Sequence, residues 1–202
     1  MPSLSQFIAR VSWLCSDEAN IGYGQDTRDH IWPGGAADCS SLVENGLEWG
    51  DFDTGLAEAG VFWTGNMRAL LTARGWVALN PDTTVLLPGD ILLKEGHHTA
   101  VYIGAGQIAE ANINSWGGTT DDPDGDQTGQ ETRITDWYDP GWTHVLRWTG
   151  ASETATISQE EDMTPEQAKQ LADVHYLLHN NLGDAIKRLD AHRPVIDQHH
   201  NA

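Results

Sequence analysis

Three residues of this chain have the types and spacing for covalent chemistry: Cys39, His98 and Glu110. Cys39 stands in the run GGAADCSSLV at 34–43, where a flexible Gly-rich approach meets helix-compatible residues. That places Cys39 at or next to a helix N-terminus, where unpaired N–H groups and the helix dipole favour an anion. A thiolate is such an anion, and helix N-termini lower cysteine pKa values. The same N–H groups suit the oxyanion of an attacked carbonyl. Taken alone, the run also reads as Asp38 or Ser40 capping a helix with Cys39 packed inside.

A cysteine nucleophile needs a base, and the base needs an acceptor that orients it. In residues 86–111, Pro88-Gly89-Asp90 opens a strand, and two further strands flank Gly104-Ala105-Gly106. A three-residue loop pairs Tyr102 with Ile108 and Ala100 with Glu110, and sets His98 opposite Asn112. His98, Glu110 and Asn112 then share one face, and Val101, Ile103, Ala109 and Ala111 share the other. His98 takes the Cys39 proton and returns it to the leaving amine, while Glu110 fixes the imidazole tautomer. Asn112 supports the ring or lines the oxyanion site. A two-residue loop would invert the parity and break this arrangement. His97 is the rival histidine and faces the other way. In isolation, His98 and Glu110 also suit an ordinary polar strand face.

These residues need a scaffold, and the chain offers one in its first three quarters. Helix signals cover 4–15, 39–47 and 64–74, and strand signals cover 90–94, 99–104, 107–112 and 143–148. Helices first and strands later predict an α+β fold with an antiparallel sheet. All nine Trp and 20 of the 21 Gly precede residue 151, which sets a catalytic domain at 1–148. Residues 149–163 are small, polar and acidic and read as a flexible linker. Residues 164–193 read as an amphipathic helix. Thr164 is its N-cap, Pro165 and Gln167 strengthen the start, and Leu171, Val174, Leu178, Leu182, Ala185 and Leu189 form its stripe. That stripe needs a partner: a second copy giving a homo-oligomer, the catalytic domain, or another molecule. Residues 194–202, with His199 and His200, read as a frayed tail.

Composition narrows the partners. With 202 residues, 39% of them hydrophobic, the chain can build a core. It carries 11 Lys and Arg against 30 Asp and Glu, a formal charge of −19. Nucleic acid and anionic membranes should repel it. No apolar run approaches a membrane span, and the N-terminus lacks the basic and apolar regions of a signal peptide. Cys15 and Cys39 are too few for a disulfide framework; Cys15 reads as a small buried helix residue. The acidic run 121–126 resembles a calcium loop, but Gln127 and Arg133 stand where Gly and Glu are required, so the EF-hand reading fails. A solvated acidic loop is the default there, with a calcium site of another kind as the alternative. His30, His97 and His144 are too scattered to form a zinc set, and no metal or other cofactor is expected. Most Trp suit core packing, while Trp32 and Trp116 are the candidates to line a substrate groove.

DCSSLV at 38–43, PGD at 88–90 and HTAVYIG at 98–104 together resemble the NlpC-type family of papain-like cell-wall cysteine hydrolases. The Glu110-Ala111-Asn112 spacing is similar to the related CHAP amidases and endopeptidases. The stretch GDQTG at 125–129, Tyr138 and the HVLRW end are similar to endolysins of phages infecting Gram-positive, especially actinobacterial, hosts. The resemblance covers roughly residues 5–148. It implies a papain-like fold with N-terminal helices and an antiparallel sheet, with the helical tail as an appendage. It also implies peptidoglycan as the substrate and Cys39, His98 and Glu110 as the triad, with Asn112, Asp38 and Tyr23 in supporting or oxyanion roles. Tyr23 lies farther from Cys39 than the family pattern has it. Where the family often has His as third residue, Glu110 keeps the orienting role with a charge. The family reading has the protein wait in the host cytoplasm until release to the wall, without membrane insertion. The alternatives are a virion-associated or wall-binding structural protein, and an acyltransferase or thiol hydrolase acting on other amides. Amidase and endopeptidase action stay open alike.

Overall fold

The computed structural model describes residues 1–150, and the linker beyond residue 150, the helix 164–193 and the tail 194–202 lie outside the described residues. The first helix, α1 (Leu4–Leu14), starts at Ser3, whose hydroxyl accepts from the Gln6 amide. Its buried residues Phe7, Val11 and Leu14 recur at helical spacing and define one inward face. That face meets the helix α2 (Cys39–Trp49), which buries Leu42, Val43, Gly46 and Leu47. The two helices approach closely at Gly46, where a Cβ would overlap Val11 and touch the Phe7 ring.

One short strand pair frames the route to α2. Strands β1 (Gly22–Tyr23) and β2 (Ala36–Ala37) pair in parallel, with Tyr23 opposite Ala37. This short parallel pair is absent from the sequence expectation. Downstream come the short helices α3 (Leu56–Ala59) and α4 (Met67–Thr72). The helix expected at 64–74 is trimmed to α4 because Asn66 folds back, accepting from the Trp63 amide and donating to the Val61 carbonyl. A side chain that serves the backbone in this way favours a turn over a helix.

The remaining strands are β3 (Trp76–Leu79), β4 (Ile91–Lys94), β5 (His98–Gly104), β6 (Gln107–Ala111), β7 (Thr132–Asp136) and β8 (His144–Trp148). They form one antiparallel sheet in the order β3-β8-β4-β5-β6-β7. The expected α+β order therefore holds. The two strands missing from the sequence reading, β3 and β7, are the sheet edges. One sheet face, with Ile91, Leu93, Val101, Ala109, Ala111 and Leu146, packs in the same core as the α1 and α2 side chains. The other face gathers Leu92, Ala100, Ile108 and Val145 under Trp142.

The β5–β6 hairpin corrects the expected turn. Gly104 pairs with Gln107 across a two-residue loop, Ala105-Gly106, both at positive φ. Alone, that loop would have inverted the face of every residue upstream. A bulge between Tyr102 and Gly104 absorbs one residue, so Tyr102 pairs with Ile108 and Val101 with Ala109 as expected. The parity that puts His98 and Glu110 on one face survives by this compensation.

Candidate active site

Asp38 builds the start of α2. Its carboxylate accepts from the Ser41 amide at 2.7 Å, and the Ser41 hydroxyl accepts from the Asp38 amide at 2.9 Å, closing a capping box. Arg28 steadies the cap with Nη1 3.0 Å from Asp38 Oδ2 and Nη2 on the Ser40 hydroxyl. Cys39 is the first helical residue and is 6% exposed. The backbone amides of Thr99 and Ser40 lie close to its sulfur and favour its charged form. Thr99 follows His98 directly, so the thiol sits near the start of β5, the strand that carries the candidate base.

His98 and Glu110 meet as the face pattern requires. His98 Nε2 and Glu110 Oε2 are 2.8 Å apart. A carboxylate only accepts, so Nε2 carries the hydrogen and Nδ1 is left as the base. Glu110 is fully buried, and its oxygens take more than the imidazole. Arg133 donates from Nε and Nη2 to Oε1 at 2.9 and 2.8 Å, and the Tyr138 hydroxyl donates to Oε2 at 2.9 Å. Burial pushes the Glu110 carboxyl up, but the hydrogen bonds from His98, Arg133 and Tyr138 outweigh it and hold the group below its ordinary value. On its other side the His98 ring stacks on Trp142, with centroids 5.8 Å apart and planes 20° apart.

The thiol departs from expectation. Burial, reinforced by the Asp38 carboxylate, pushes Cys39 up to about 12, against the lowering expected from a helix N-terminus. Desolvation of a nearly enclosed sulfur outweighs the partial charge of the helix end. Cys15 is also raised to about 12, chiefly by burial, and donates to the Glu110 carbonyl at 3.7 Å. Both cysteines are free thiols.

Tyr23 reaches the site, because it pairs with Ala37, which precedes Cys39 by two residues in the chain. Burial, with the nearby Cys39 and Asp38, raises its phenol well above the usual range. Asn112 does not reach the base as expected. It lies past the end of β6, its amide donates to the Glu131 carbonyl, and no hydrogen bond links its side chain to His98 among the described residues. Trp32 and Trp116 are exposed at 46% and 74%, and Trp32 stacks on His30. Their loops are tied by a bond from the Gln25 amide to the Thr119 carbonyl. His97 is exposed in the β4–β5 turn.

Sequence reasoning missed Arg133, Tyr138 and Trp142 as parts of the site. Arg133 was legible only through the pairing of β6 with β7, where it faces Glu110, and Tyr138 lies two residues beyond that strand. The acidic loop spends its carboxylates on the protein itself. Asp122 accepts from the Ser115 amide and hydroxyl, Asp124 from His30, and Asp126 from the amides of Thr128 and Gly129. Among the described residues, no three His, Cys, Asp or Glu side chains group as a metal site.

The sequence profile of a family described as an endolysin-like domain matches residues 3–109, a span that includes Cys39 and His98 and ends one residue before Glu110. No curated protein matches the chain. Among solved structures, the P60 domain of a Mycobacterium avium subspecies paratuberculosis antigen is 18% identical. It aligns over 72% of this chain and 96% of its own, with a TM-score of 0.42. The peptidoglycan hydrolase RipB of Mycobacterium tuberculosis is 17% identical over 71% of this chain and 65% of its own, with a TM-score of 0.39. NlpC2 of Trichomonas vaginalis is 18% identical over 71% of this chain and 46% of its own, with a TM-score of 0.38. The match thus spans less than two thirds of the last two proteins. Among the described residues, no helix is long and apolar enough to cross a membrane.

Proposed function

This chain belongs to the endolysin-like domain family, and from that premise we propose that it is a peptidoglycan hydrolase of the phage endolysin kind, working by a Cys39–His98–Glu110 triad. The observation that carries the reading is the line from the α2 thiol, through the start of β5, to a buried carboxylate that fixes one imidazole tautomer. Nδ1 of His98 takes the Cys39 proton as the sulfur attacks a stem-peptide carbonyl. The first N–H groups of α2 meet the oxyanion. The amine leaves with the proton from His98, and a thioester remains. Water, deprotonated by His98, then releases the acid and restores the thiol. Burial raises the Cys39 thiol, so His98 is needed to take its proton for the sulfur to attack. The exposed rings of Trp32 and Trp116 suit contact with the substrate.

The test is mass spectrometry of soluble fragments released from purified Gram-positive peptidoglycan. The full chain should release fragments whose masses name the bond, amide or peptide, and Cys39→Ala should release none. If the reduced wild type frees nothing from several wall types, the hydrolase reading fails and a wall-binding role replaces it.

A further inference from the structure

A carboxylate offers about four acceptor positions. Those of Glu110 are all taken: two by Arg133, one by His98 and one by Tyr138. A group so saturated has no freedom to turn, and it hands its orientation to the one partner able to move protons. We infer that Arg133 and Tyr138 are positioning residues that set how strongly Glu110 holds the proton on His98, and thereby the pH range in which the site works. The inference rests on the triad reading above.

The electrostatic argument has two parts. Arg133 supplies a full positive charge against Oε1, so the carboxylate's pull on the His98 proton is shared. Tyr138 donates to Oε2, the same oxygen that receives His98 Nε2, and competes directly for it. Other titratable groups around the pair are less placed to act. Lys94 of β4 stands across from His98 in the ladder, but its Nζ donates to the Pro140 carbonyl. His97 is exposed in the turn, and Cys15 touches only the Glu110 carbonyl. Cys39 is the group that the triad reading pairs with His98, and Cys39→Ala takes it out of the ring titration below. Arg133 is also reachable from outside. Its side chain is 26% exposed and lines a cavity of about 340 Å³ with Cys15, Asn20, Gln130 and Thr132. Water can therefore replace a deleted guanidinium, and a variant there should fold.

Arg133→Gln removes the charge. The carboxylate's pull on His98 is then unshared, so the acidic limb of the pH–rate profile on peptidoglycan should move up by about one pH unit. Tyr138→Phe should move it the same way by less. Arg133→Lys restores the charge without the two-pronged geometry, so the limb should return while the plateau rate recovers only in part. Damage to packing alone would lower the plateau in every variant and leave the limb in place. The second readout needs no activity: ring nitrogen NMR of His98 titrated in full-length Cys39→Ala, with and without Arg133→Gln. A ring titration and a limb that both stay put in folded Arg133→Gln overturn the inference. A ring titration that moves in a protein that cuts no wall upholds it and sinks the hydrolase reading instead.

Discussion

Glu110→Gln keeps the shape of the site and changes which atoms can accept. The carboxylate takes all of its hydrogen bonds as an acceptor, whereas an amide has one accepting oxygen and one donating nitrogen. The oxygen will turn to Arg133, because a guanidinium with no acceptor is the costlier loss. The amide nitrogen then faces His98 Nε2, which must accept, and the imidazole hydrogen moves to Nδ1. That is the nitrogen required bare to receive the Cys39 proton. A wrong tautomer in a comparable triad costs about ten-thousand-fold in rate, equivalent to about 5.4 kcal/mol. Stability should suffer far less. Removing one partner of a buried ion pair costs about 3–5 kcal/mol. Arg133 is 26% exposed and can recruit water, so about 1–2 kcal/mol is expected, a melting drop of about 2–8 °C. The assay is fragment release from peptidoglycan beside a thermal melt of the same sample. A variant that melts as expected but keeps a tenth or more of the wild-type rate would refute the tautomer argument.

Three further outcomes follow from individual residues. In a Cys15→Ser background, alkylation of resting Cys39 by iodoacetamide should be slow at neutral pH. It should still be climbing at pH 10, because burial raises the thiol to about 12; a plateau near pH 8 would contradict that. Glu44 is raised to about 7, first by burial and then by Glu48, and its Oε1 is buried without a partner. An acid raised in the folded state gives stability that is complete below its ordinary 4.5 and lost as pH rises through about 7, so Glu44→Gln should raise the melting temperature more at pH 8 than at pH 5. Gly46→Ala gains about 1 kcal/mol of helix propensity but drives a methyl into Val11, and overpacking of about 1–3 kcal/mol should win, seen as a lower urea midpoint. Finally, the charge of −19 predicts that lysis of walls rich in anionic polymers improves from low salt to about 0.15 M, and a steep fall would contradict it.

Strong local patterns made much of this protein legible. The capped start of α2, the apolar spacing of α1 and the alternation in β5 and β6 are all written in runs of a few residues. The shared face of His98 and Glu110 followed from strand parity, although the assumed loop was one residue longer than the one formed and the bulge restored the count. What stayed hidden depends on distant partners. β3 and β7 are edge strands, and β7 alternates burial only weakly, so its sequence TRITD gave no clear signal. Arg133 lies 23 residues from Glu110 and becomes its partner only once β7 has docked. Trp142 looked like one core tryptophan among nine, and only the folded chain stacks it on His98. The raised thiol was hidden for a related reason: a helix end is visible in sequence, but the enclosure that overrides it is not.

The bulge in the β5–β6 hairpin also constrains how the length of this chain can vary. Loop and bulge act as two compensating shifts, like a paired insertion and deletion in a reading frame, and Ile103 is the residue that the bulge carries as surplus. Losing Ile103 would leave a regular ladder, with Tyr102 still opposite Ile108 and Val101 opposite Ala109, so His98 and Glu110 would keep their common face. A residue lost between His98 and Tyr102 has no such outlet. It would set His98 opposite Ala111 and carry it into the apolar layer. Length changes are therefore absorbed between Tyr102 and Gln107 and not between His98 and Tyr102. A grafted peptide is best inserted at Ala105-Gly106, beyond the bulge, where the tip can grow without disturbing the frame that His98 and Glu110 share.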